Sequence, residues 1–118
     1  MRGMQWLLHG EAAAMAEVKQ ALQRHEQKTH GMAELNLPPE APVGDVLKAA
    51  AGRQWDVITT VAELATLRQP FGRCIVYLQS MAAPAGAVDR LFERYPRLST
   101  GRLYTVTASR VKIRQLPR

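Results

Sequence analysis

Arg110, Lys112 and Arg114 alternate with Val111, Ile113 and Gln115. On a strand, that period of two places three cations on one face and the intervening side chains on the other. At about 3.3 Å per residue the cations stand ~7 Å apart, close to the spacing of consecutive phosphates along a nucleic-acid strand. Arg102 and Arg97 extend the track toward the N-terminus. The chemistry on offer is charge-assisted hydrogen bonding to phosphate or carboxylate.

The charge is segregated. Seven residues from Arg94 to Arg118 are basic and none is acidic, whereas the whole chain holds 16 basic and 10 acidic residues with a net charge of +6. The excess therefore belongs to the tail. A solvating surface normally mixes both signs, so a block of one sign points to a polyanionic partner. The same residues also suit a plainer role as a solvated face, or as a guard on an exposed sheet edge.

Catalysis finds little to work with. His9, His25 and His30 all fall in the N-terminal third, and His25 and His30, five apart, do not share a helix face, so no zinc pair is expected. Asp45, Asp56, Glu63, Asp89 and Glu93 are scattered. Asp89 beside Arg90, and Glu93 beside Arg94, read as surface ion pairs of little energetic worth. Gly86 and Gly101 are isolated, with no Gly-Lys-Ser/Thr after either to cradle a phosphate. Cys74 is the only cysteine and sits in the apolar run Cys74–Leu78, where a small buried hydrophobe is the expected role. No enzyme activity, cofactor or metal is expected.

These residues must be positioned by one domain of 118 residues, 47% hydrophobic and 22% charged. Residues 11–28 read as a helix, with Met15, Val18, Leu22 and His25 on a narrow stripe suited to the domain or to a second copy in a homodimer. Pro38, Pro39 and Pro42 make 31–42 an extended connector. The expected organisation is an N-terminal helix over 1–30, that connector, and a compact unit over 43–118. Within the unit come a short helix at 44–51, an extended stretch at 55–58, and a capping box at Thr60–Glu63 that starts a helix ended by Pro70. Residues 71–81 are ambiguous between strand and helix. A helix follows from Pro84 to Tyr95, and 102–115 is a hairpin turning near Ala108 and Ser109, or one bent strand. The patch Trp6-Leu7-Leu8 is too short for a signal core or a bilayer span, so a cytoplasmic protein without membrane contact is expected.

The segment Ile58 to Ala65 resembles the strand and first helix of a winged helix-turn-helix unit, a broad superfamily, and the likeness covers about half the chain. It implies an α+β fold in which Arg73 to Met81 is the recognition helix, presenting Arg73, Tyr77 and Gln79, and Arg102 to Gln115 is the wing. If 73–79 is a strand instead, the unit becomes a small α/β sandwich of three or four strands.

The expected function is a small regulatory protein that grips nucleic acid through Arg97, Arg102, Arg110, Lys112 and Arg114, with Arg73, Tyr77 and Gln79 reading bases. Duplex DNA is favoured over RNA, and sequence-specific single-strand binding is not expected because the ribbon offers essentially one aromatic, Tyr104, for stacking. The rival expectation is a non-enzymatic adaptor or inhibitor docking on an acidic protein surface, in part through strand pairing. An exposed helix at 73–81 favours DNA; a buried strand there favours the adaptor.

Overall fold

Three of the chain's short apolar runs, Trp6-Leu7-Leu8, Val57-Ile58 and Ile75-Val76, do not alternate with polar residues. Strands apolar on both faces belong in the middle of three layers. The computed structural model, which describes residues 4–38, 40–66, 70–79 and 83–117, places them there. Its strands are β1 (Gln5–His9), β2 (Lys28–His30), β3 (Asp56–Thr59), β4 (Ile75–Leu78), β5 (Arg102–Val106) and β6 (Val111–Gln115). They form one sheet in the order β2-β1-β3-β4-β5-β6, parallel throughout except for the antiparallel β5–β6 hairpin.

Two rows of cross-strand neighbours define the faces. Leu8, Ile58, Val76, Tyr104 and Ile113 lie side by side, and so do Leu7, Val57, Ile75, Leu103 and Arg114. The first face is covered by α1 (Ala16–Arg24) through Val18, Ala21 and Leu22 and by α4 (Pro84–Arg94) through Ala87, Val88, Leu91 and Phe92. The second is covered by α2 (Val43–Gly52) through Val46, Leu47 and Ala50 and by the short α3 (Ala62–Ala65) through Leu64. The result is a layered α/β fold with a mostly parallel sheet.

This overturns the α+β expectation of an N-terminal helix followed by a winged-helix-like unit. Residues 5–9 form a strand inside the sheet, and the helix after it begins only at Ala16, behind a 3-10 turn over Gly10–Ala14. The apolar stripe of 11–28 is spent on this domain's own core, since Val18 and Leu22 are fully buried. The supposed recognition helix is the central strand β4, where β-branched Ile75 and Val76 pair on both sides. The small sandwich confined to 43–118 is overturned too: the four strands of that unit, β3 to β6, share one six-stranded sheet with β1 and β2 from the residues before it.

The capping box does not form either. Thr60 Oγ1 accepts from the Glu11 amide at 2.9 Å, and Thr59 Oγ1 accepts from the Val61 amide at 2.9 Å. The Thr60 hydroxyl is drawn to the chain leaving β1, a partner 49 residues away. Gly10 permits this junction: its φ is +67°, and a Cβ there would sit 2.8 Å from Val61 Cγ2. The rest of the expected helix, from Leu67, lies outside the described residues, as do Pro39, Ser80 and Met81.

Other local readings hold. α2 and α4 run close to the expected spans, Pro84 opens α4, and the hairpin turns over residues 107–110. In place of Gly, Asn or Asp, Thr107 makes the turn: its hydroxyl accepts from the Arg110 amide at 3.1 Å, while its own amide donates to the Arg110 carbonyl at 2.9 Å. Among the described residues no helix is long and apolar enough to cross a membrane.

Candidate polyanion interface

The β5–β6 hairpin packs beside α4, and the groove between them is where the cations gather. Arg90, Glu93 and Arg94 from α4, with Ser109, Arg110 and Val111 from the hairpin, line an open cleft of about 400 Å³. Arg90 and Arg94 share a helix face at i, i+4. The Arg90 guanidinium donates to the Ala108 carbonyl at 2.6 Å and to the Thr107 carbonyl at 2.9 Å, so it fixes the turn while keeping its charge at the cleft. The Arg94 guanidinium lies 5.6 Å from the centroid of the Tyr95 ring. Three guanidiniums and a hydroxyl around one groove can receive a phosphate or carboxylate through short, charge-assisted hydrogen bonds.

The expected site residues do not all meet there. Arg110 precedes β6 and belongs to the cleft, whereas Lys112 and Arg114 lie in register with Thr105 and Leu103 on the α2/α3 side. The Arg114 side chain donates to the Ala65 carbonyl of α3. Arg102 pairs with Gln115 at the far end of the hairpin, about 17 Å from the turn by strand rise, and Arg97 is exposed on the loop before β5. The single straight track is therefore divided between two faces and two ends.

Arg73, Tyr77 and Gln79 present no common surface. Arg73, at the start of β4, pairs with the fully buried Asp56 at 3.1 Å. Burial pushes the Asp56 carboxyl above its ordinary range, against the Cys74 amide and Arg73, which pull it down. Tyr77 packs toward the second core, and Gln79 is exposed past the opposite end of the strand. No base-reading element assembles from these three.

No family model, curated protein or solved structure matches this chain.

Open α/β sheets ordinarily bind ligands where the strand order reverses, here between the carboxyl ends of β1 and β3. That junction is knit together by protein. His9, 6% exposed, has Nδ1 2.8 Å from Thr59 Oγ1, and Glu11 and Thr60 close the strand ends above it. Burial lowers the His9 pKa and the nearby Glu63 charge partly restores it. Among the described residues no group of three His, Cys, Asp or Glu side chains is placed to hold a metal ion.

Arg90 and Arg94 were missed as site residues because their neighbours Asp89 and Glu93 looked like their partners. Instead Asp89 bonds Arg24 at 2.9 Å and His25 at 2.8 Å across the α1–α4 contact. The signal available was the i, i+4 spacing of the two arginines.

Proposed function

We propose that this protein binds nucleic acid by its phosphate backbone, through the cleft between α4 and the β5–β6 hairpin. The observation that carries the reading is that Arg90 and Arg94 of α4 and Arg110 of the hairpin, sixteen residues beyond Arg94, line one groove in which Glu93 is the single carboxylate. Phosphate contacts position a protein on nucleic acid without reading sequence. With β4 in place of a recognition helix, the proposed grip is sequence-tolerant and its role is binding, not catalysis.

The test is fluorescence anisotropy of labelled duplex DNA and duplex RNA across a salt series. Three neutralised phosphates give a slope of log affinity against log salt near −3, by roughly −0.9 per contact. Arg94→Ala with Arg110→Ala makes the slope shallower by about two, and two unrelated duplex sequences bind within about threefold of each other. No binding at low salt, or a slope untouched by this double variant, would end the reading.

The adaptor reading has its own support. Residues 75–78 are a buried strand, and β6 is an edge strand carrying Lys112 and Arg114.

A further inference from the structure

The antiparallel ladder between β5 and β6 alternates hydrogen-bonded and non-bonded residue pairs. Thr107 bonds Arg110 and Leu116 bonds Gly101, each at 2.9 Å, which fixes the phase at both ends of the hairpin. In the intervening register the bonded pairs are Thr105 with Lys112 and Leu103 with Arg114. The amides and carbonyls of Val111, Ile113 and Gln115 consequently point away from β5, to the outer edge. No strand among the described residues pairs with that edge. Ile113, 41% exposed, is the one large hydrophobic residue on show among those described.

We infer that the outer edge of β6 docks an extended acidic peptide of a partner protein, added as a seventh strand, with carboxylates facing Lys112 and Arg114 and an apolar residue facing Ile113. The inference deepens the adaptor reading and does not depend on the phosphate cleft. Strand addition supplies affinity through main-chain bonds and specificity through alternate side chains. Lys112 and Arg114 project to one side of the edge and Ile113 to the other, so the complementary strand alternates acidic and apolar residues.

A second copy of this chain is a poor occupant. An antiparallel pair of β6 edges joins two or more outward-facing residues of each strand only when centred on residue 112, 113 or 114. Centring on Ile113 sets Lys112 against Arg114, and centring on 112 or 114 sets a cation against itself. Like charges directly opposite destabilise a strand pair. The edge is thus guarded against self-association and open to a strand of opposite charge.

The probe is an end-blocked seven-residue peptide alternating Val and Glu, compared with an isomer of the same composition in which the glutamates form one block. The alternating peptide is expected to bind at least about tenfold tighter than the isomer and to protect the amides of Val111, Ile113 and Gln115 from hydrogen exchange. Ile113→Pro removes an outward donor and no ladder bond, a position where an edge strand accepts proline. It should weaken the peptide about five- to tenfold, the worth of one net hydrogen bond and its contacts. Ile113→Thr keeps the amide and should lose less. Lys112→Glu with Arg114→Glu should abolish binding.

The amide protection is read on the unaltered protein, so a folding defect in the proline variant does not remove the test. Equal binding of the two peptides overturns the inference. So does loss of binding in Arg94→Ala with Arg110→Ala but not in Ile113→Pro, which would place the peptide in the cleft as a mere polyanion. Protection of the same three amides by self-association in the absence of peptide also overturns it.

Discussion

The Arg90 guanidinium on α4 donates a 2.6 Å hydrogen bond to the carbonyl of Ala108 at the tip of the β5–β6 turn. One side chain thus ties the most basic segment to the helix that supplies the other cations of the groove. Arg90→Ala should loosen the turn and cost about 1–2 kcal/mol in urea denaturation, a charged hydrogen-bond pair discounted for its exposure. Faster amide exchange at residues 107–110, with little change elsewhere, is the accompanying signature. Global loosening would show that Arg90 does not act locally.

His9 should make the fold sensitive to mild acid. Its folded pKa lies below the ordinary histidine value of 6.5, chiefly through burial. Between the two values the unfolded chain binds more protons than the folded one, so stability rises with pH across that window and falls as pH drops below 6.5. NMR titration should show His9 protonating below that value, and Glu63→Gln should depress it further by removing the neighbouring charge. A His9→Gln variant should lose most of the stability slope between about pH 7 and 5. An unchanged slope would assign the acid sensitivity to other groups.

Asp56 holds the start of β4 to the start of β3. Its carboxylate accepts from the Cys74 amide at 2.8 Å and pairs with Arg73 at 3.1 Å. Asp56→Ala should cost about 3 kcal/mol, because a buried amide and a half-buried guanidinium both lose their partner. Asp56→Asn retains an acceptor for the Cys74 amide and needs no buried charge, so it should cost clearly less. Equal losses in the two variants, measured by chemical denaturation, would mean the charge matters more than the amide bond.

Gln27 anchors the first strand. Its Oε1 accepts from the Met4 amide and the Trp6 indole, both at 2.9 Å, and its Nε2 donates to the His25 carbonyl at 2.9 Å. Gln27→Ala should cost about 2 kcal/mol by leaving the buried indole N–H unsatisfied. Altered Trp fluorescence in the folded state would accompany it. A loss under about 0.5 kcal/mol would mean that water replaces the amide.

The proposed interface rests on how the charges are partitioned, and the alternation of Arg110, Lys112 and Arg114 does not reveal that partition. The alternation is real for Lys112 and Arg114, which share the α2/α3 side, but Arg110 falls just before the strand and turns to the cleft with α4. The residues that join it, Arg90 and Arg94, were legible as a pair on one helix face and illegible as part of a groove.

The sequence by itself determined the local features: the α4 stripe opened by Pro84, the α2 helix, the extended character of 102–115, and a tail without an acidic side chain. Each depends on a periodicity or punctuation contained within about fifteen residues. Tertiary structure decided the rest. The sheet pairs Leu8 with Ile58 and Val76 with Tyr104, partners far apart along the chain. No local pattern in β1 or β4 announces them, because a strand buried on both faces has lost its alternation. Those same long-range pairings made 75–78 a strand, took the Thr60 hydroxyl away from its own helix, and set β6 at the edge where its amides face outward.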